Sequence, residues 1–182
     1  PDKTGALNKF NEMLYHHLGY TLNRGARALA YAFTGGSSRA AFTADDFTLP
    51  YYKLVNRFSA CFALTADMSL GLLAGDIKRK EMLSGRLADI HSYLFIATSI
   101  LKYYERGNRT EAEQDHAQLA LEKAFYQIQE AFDGLFANFP VPAAAGLVKM
   151  VCFPFGRPVA KPNDKLKQQV AQWIMMENPF RE

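Results

Sequence analysis

Nothing in this sequence runs for eighteen apolar residues, so no segment reads as a helix that spans a bilayer. No basic stretch leads into a short apolar core near the start, so no signal peptide is visible. Cysteine is scarce: Cys61 and Cys152 are the only two, and both sit among apolar neighbours, as in Ala60-Cys61-Phe62 and Val151-Cys152-Phe153. They read as buried free thiols and point to a reducing compartment. Charge of one sign is also lacking: 21 basic against 18 acidic residues leave +3, too little for the basic stripe that tracks nucleic acid. Gly-x-Gly-x-x-Gly, Walker, Gly-x-Ser-x-Gly and His-Glu-x-x-His sequences and paired cysteines are all absent. The commoner dinucleotide, phosphate, acyl-enzyme and zinc motifs are thereby excluded. Alternating strand patterns and Asn-Gly hairpin turns are missing too.

What remains is helix. Apolar residues recur at steps of three and four, the period of a helix with one buried stripe. The stripes are Tyr51, Leu54, Phe58, Cys61, Thr65, Met68 and Leu72; then Leu83, Leu87, Ile90, Leu94, Ala97, Leu101 and Tyr104; then Leu121, Phe125, Ile128, Phe132, Leu135 and Phe139. A looser one runs through Leu7, Phe10, Leu14, His17, Thr21, Leu29 and Ala32. Gly35-Gly36-Ser37-Ser38 closes the first helix, since glycine accepts the left-handed conformation there. Pro50 opens the second, Gly75 ends it with Asp76 as cap of the third, and Gly107-Asn108 ends the third. Pro140, Pro142, Pro154, Pro158 and Pro162 forbid another long helix but leave room for a short one over residues 143–151. Asn163-Asp164 caps a last one through Leu166, Val170 and Trp173. The expected fold is all-α: one domain over 1–182, an antiparallel bundle of four long helices (4–34, 50–74, 77–105, 115–138) with a Pro-rich C-terminal cap (140–176) ending in a short helix. Pro1 in place of Met and the end at Glu182 suggest a piece of a longer chain.

Candidate chemistry is thin. His16 and His17 point about 100° apart on a helix, and neither His91 nor His116 has a ligand-like partner in sequence, so no metal site is expected. Glu111, Glu113 and Asp115 suit the positive end of a helix. Asp67, beside the apolar Met68, is expected to pair with Arg86 across the hairpin turned at Gly75. Lys78-Arg79-Lys80 opposes the dipole of the helix it opens. It is a solvated face, or a patch for an anionic partner such as CoA phosphates or lipid headgroups. Phe153-Pro154-Phe155-Gly156-Arg157 is an aromatic turn, either packed onto the bundle or left out as a docking knob. From these residues alone, no catalytic, cofactor-binding or metal residue is assigned.

Several separated blocks, in order, carry a resemblance. They are the segment from Tyr51-Tyr52-Lys53-Leu54-Val55-Asn56-Arg57-Phe58 to Ala60, Gly75-Asp76-Ile77-Lys78-Arg79-Lys80-Glu81, Ser84-Gly85-Arg86-Leu87-Ala88-Asp89 and Ala97-Thr98-Ser99-Ile100-Leu101-Lys102. Asn138-Phe139-Pro140, Phe153-Pro154-Phe155-Gly156-Arg157 and Asn163-Asp164-Lys165-Leu166 follow. Over roughly Asn8 to Ile174 the chain resembles the C-terminal region of the enlarged bacterial-type acyl-CoA dehydrogenases of fatty-acid β-oxidation. That resemblance implies a parent flavoenzyme using FAD to turn acyl-CoA into trans-2-enoyl-CoA, with the catalytic glutamate and flavin contacts in upstream domains. No counterpart of the glutamate's motif occurs here, so the chain is not expected to be active alone and needs no cofactor of its own. Implied partners are the upstream catalytic domains, another copy in a homo-oligomer, or a membrane surface. The implied location is the cytoplasm or the inner face of the cytoplasmic membrane. The alternative is a membrane-surface or acyl-CoA-binding helical module, motivated by Lys78-Arg79-Lys80 and the turn from Phe153 to Arg157; an independent helical ligand-binding protein is a third.

Overall fold

The structure, a computed structural model, describes residues 3–36 and 44–176. Among them six α-helices follow one another: α1 Lys3–Thr34, α2 Thr48–Leu73, α3 Glu81–Arg106, α4 Glu111–Ala137, α5 Pro142–Cys152 and α6 Asp164–Met175. A 3₁₀ turn, Ala74–Lys78, joins α2 to α3. No strand occurs among the described residues, and the fold is all-α.

Helix α2 lies against α1, α3, α4 and α5, while α4 carries α3, α5 and α6 around it. The inner stripes of α2, α3 and α4 meet in one core. Phe58, Ile90, Leu101, Leu121, Phe125, Ile128, Phe132 and Leu135 are sealed from solvent there. Phe132 stacks near Phe58 and Phe136, and meets Phe153 edge-on at 5.3 Å between ring centres. Thr65 and Ser69 are buried on α2 without cost in unmade hydrogen bonds, because each hydroxyl donates to the carbonyl four residues back at 2.8 Å. By length and composition the segment Thr48–Lys78 could cross a membrane, a property that core helices share; half of the relevant stretch is buried inside the bundle.

Helix ends depart from the expected bounds for identifiable reasons. The third helix starts at Glu81 rather than 77 because residues 74–78 tighten into the 3₁₀ turn, where the Arg79 and Lys80 amides donate to the Asp76 carbonyl. The Asp76 carboxylate takes the Arg79 guanidinium instead of capping α3, whose N-cap residue is Lys80 with no side-chain cap. The fourth starts at Glu111 rather than 115, since Thr110 and Glu113 form a reciprocal capping box. That Thr-x-x-Glu signal stands in the sequence, within a run whose polarity alone suggests a loop. Asp45 does similar work before α2, its carboxylate accepting from the Thr48 amide at 2.7 Å and the Thr48 hydroxyl at 2.8 Å. Burial pushes the Asp45 carboxyl up, but these bonds and Arg109 outweigh it and hold it below its usual range.

The second helix runs Thr48–Leu73, so Pro50 lies inside it and Gly75 falls within the 3₁₀ turn, while two other end signals act as expected. Asn163 accepts from the Leu166 amide at the start of α6. Gly35 and Gly36 take positive φ after α1. At Gly36 any Cβ would strike the Lys53 carbonyl, so glycine lets the end of α1 touch the backbone of α2. Ser37 and Ser38 lie outside the described residues. Where the helices pack on one another, two stripe positions are corrected: Leu72 is exposed and Leu73 faces inward, while on α1 Ala28 is buried in place of Leu29.

Candidate docking surface

Helix α1 runs antiparallel to α2, with Gly36 against Lys53, Gly25 near Leu64 and Arg24 paired with Asp67. Moving toward the N-terminus of α1 therefore means moving toward the C-terminus of α2, which ends at Leu73. The earlier turns of α1 run past it. Every described side chain from residue 5 to 20 is exposed, although Leu7, Phe10, Met13, Leu14 and Leu18 are among them. The apolar residues expected to form a core stripe have nothing to cover them among the described residues.

The same register overturns the expected Asp67–Arg86 pair. Asp67, almost fully buried, faces α1 and pairs with Arg24; its second oxygen finds no hydrogen-bond partner among the described residues. Arg86 instead lies along Gly134 of α4 and donates to the Met82 carbonyl at 3.4 Å. Sequence spacing places Asp67 opposite α3, but it cannot say that α1 occupies that side of α2.

Lys78, Arg79 and Lys80 sit at the turn between α2 and α3, before the first turn of α3. Lys78 and Arg79 are exposed, and Leu70, Leu72 and Met82 are exposed beside them in sequence. The aromatic turn divides. Phe153 is core-packed against Phe58, Phe132 and Phe136. Arg157 is held to α4 by Glu130 at 2.5 Å and Asp133 at 2.6 Å, which raises its already high pKa. Phe155 stays out, meeting the exposed Phe33 of α1 edge-on at 5.2 Å.

No group of three His, Cys, Asp or Glu side chains comes together among the described residues as a metal site. His16 and His17 are exposed on α1, His91 lies near the Phe62 ring, and His116 Nδ1 is 2.6 Å from the Ala112 carbonyl. Cys61 and Cys152 are sealed off, with the Cys61 thiol 3.8 Å from the Cys152 carbonyl. The neighbouring Cys61 side chain and burial both push the Cys152 thiol far up, so it stays a neutral thiol. Beside them Arg57 is buried, donating to the Cys152 carbonyl at 3.4 Å while its Nε is unpartnered among the described residues. Burial lowers its pKa. An apolar groove of about 420 Å³ lies between α3 and α4, lined by Ile100, Tyr103, Tyr104, Glu113, His116 and Ala117.

These features bind helices to helices and leave one long apolar face open; none assembles a nucleophile, a base and an oxyanion donor. The family model for the bacterial-type acyl-CoA dehydrogenase C-terminal domain matches residues 1–182. The chain belongs to that family. No solved structure matches it. As a C-terminal domain of a multidomain enzyme, it makes contacts with other domains or subunits. The flavin dinucleotide of such enzymes does not fit the described residues. The positive-φ glycines close turns after α1 and α5 and form no pyrophosphate cradle, and the groove between α3 and α4 presents the carboxylate of Glu113.

Proposed function

We propose that this chain is the non-catalytic helical module of an FAD-dependent acyl-CoA dehydrogenase, which oxidises acyl-CoA to trans-2-enoyl-CoA in fatty-acid β-oxidation. The module braces the catalytic domains of its own chain and contributes to contacts between subunits. One observation carries this reading: the first half of α1 projects beyond the bundle with an apolar face that no other described residue covers. The test is the whole enzyme carrying Phe10→Glu and Leu14→Glu. Flavin release on heating should begin at a lower temperature in the variant, with the flavin spectrum of the unheated enzyme retained. An unchanged release temperature and an unchanged oligomeric state would count against bracing.

A second reading rests on the turn between α2 and α3, where Lys78 and Arg79 lie close in sequence to exposed Leu70, Leu72 and Met82. Basic and apolar residues together suit an anionic membrane surface, and would place the enzyme on the inner face of the cytoplasmic membrane. Sedimentation with anionic vesicles at low and high salt decides it; binding that ignores salt, or is absent, removes it.

A further inference from the structure

We infer that the first half of α1 is the inner helix of a second bundle, wrapped on at least two sides by the catalytic body of its own subunit. This rests on the bracing reading above and specifies the shape of the partner. Two properties of the helix lead to it: the seam it continues, and the width of its apolar arc.

The seam comes first. Thr21, Arg24, Ala28 and Tyr31 of α1 follow a three-four spacing and lie on the side that meets α2, where Ala28 is buried and Arg24 reaches Asp67. Extended upstream by the same steps, the seam continues through His17, Leu14, Phe10 and Leu7, all exposed. The exposed stretch is thus the outward continuation of an interface already formed. Whatever covers it takes up the track that α2 leaves at Leu73.

Width decides the kind of partner. At 100° per residue, the apolar side chains from Tyr20 through Leu14 round to Tyr15 span an arc of about 220°, broken by Asn11, His17 and Thr21. Polar residues hold the remaining strip: Asn8, Lys9, Glu12, His16 and Asn23, with Gly19 among them. The large apolar side chains of this stretch, Leu7 to Leu22, are between 45% and 74% exposed. A helix on the surface of one body needs an apolar stripe of roughly 100°. A second copy of α1 paired about a two-fold axis would cover one such stripe and leave the other in water. An arc twice that width needs at least two elements around it. Downstream the outer edge of the arc continues along Leu22, Leu29 and Phe33 to Phe155, so the covering body also leans on the flank of the bundle. The family is a C-terminal domain, so the rest of the enzyme precedes α1 in the chain and is the body tied to the start of this helix.

Five consecutive positions sample the whole circumference, and cysteine labelling of the full-length enzyme can read them. Single variants Glu12→Cys, Met13→Cys, Leu14→Cys, Tyr15→Cys and His16→Cys are treated with a maleimide, with the parent enzyme as background. Glu12→Cys and His16→Cys should label fast, and the middle three at least about tenfold more slowly, at every enzyme concentration. Slow labelling confined to Leu14→Cys would show a one-sided contact and overturn the wrapped arrangement while leaving bracing intact. Protection that vanishes on dilution would assign the face to a second copy and overturn the wrapping by its own subunit. Fast labelling at all five would overturn both this inference and the bracing reading. Amide exchange over residues 5–20 of the unsubstituted enzyme tests the same point without a variant: exchange as slow as in α4 is expected, and exchange as fast as in an exposed helix sinks the proposal.

Discussion

Replacing Phe132 by Ala probes the centre of the bundle. Its ring has no exposure, and it touches three other rings: Phe58 at 6.3 Å, Phe136 at 5.8 Å and Phe153 at 5.3 Å between centres. These partners come from α2, from α4 itself and from the turn after α5, so one deletion loosens three parts of the chain. Burying such a ring removes about 150–250 Å² from water, worth roughly 4–6 kcal/mol at 25 cal/mol per Å², of which the alanine Cβ keeps a part. Measured Phe-to-Ala changes in cores cost about 3–5 kcal/mol, cavity included. A loss of about 4 kcal/mol is therefore expected, or a fall in melting temperature of about 8–16 °C for a chain of this size. Urea unfolding followed by far-ultraviolet circular dichroism reads it, with the midpoint shifted and the slope unchanged. Phe95→Ala, at a side chain 70% exposed on α3, is the control and should change stability by less than about 0.5 kcal/mol. A cost below about 1 kcal/mol at Phe132 would mean that the four-ring cluster is not packed as described.

Three other expectations use separate features. Thr110→Ala removes the capping box of α4 and should cost about 0.5–2 kcal/mol in the same assay, with Thr110→Ser largely restoring it; equal losses for both would refute the cap. Arg24→Met strands the buried carboxylate of Asp67 and should destabilise more than Arg24→Met with Asp67→Leu, because removing both partners leaves no unpaired charge; a cycle with no coupling would refute the pair. Burial pushes the Glu105 carboxyl up, but bonds from Lys102 and Tyr52 at 2.7 Å leave it below its usual range, as at Asp45. Both carboxyls bind protons less readily folded than unfolded, so their contribution is complete above the ordinary carboxylate range and is lost as pH falls below it. Urea midpoints should drop less steeply with acid in Glu105→Gln and Asp45→Asn than in the parent, and parallel profiles would refute the assignment.

Much of the bundle is legible in the residue spacing. The stripes through Phe58, Ile90 and Phe132 come from a period of 3.6 that any helix must obey if one side is to leave water, and the glycines at 35 and 36 mark an end that only a residue without Cβ can make. Helix starts are less legible because Asp76 and Thr110 are both good caps on paper; their backbone surroundings decide that one pairs with Arg79 and the other caps α4. The candidate site is legible only as a set of residues. Phe153 and Phe155 stand two apart in one turn, yet the first fills the core and the second faces water.

The sequence by itself determined that the chain is helical, which faces of α2, α3 and α4 turn inward and which family it resembles, since these follow from periodicity and from ordered blocks of residues. Only the tertiary structure decided which helix each face meets. Asp67 reads the same whether α1 or α3 lies beside it, and it took the antiparallel docking of α1 to give it Arg24. The same docking sets a register in which α2 ends while α1 continues, and that difference in length leaves Leu7, Phe10 and Leu14 open to a partner. Amphipathic spacing shows that a stripe must be covered; it carries no information about whether the cover comes from its own bundle or from another body.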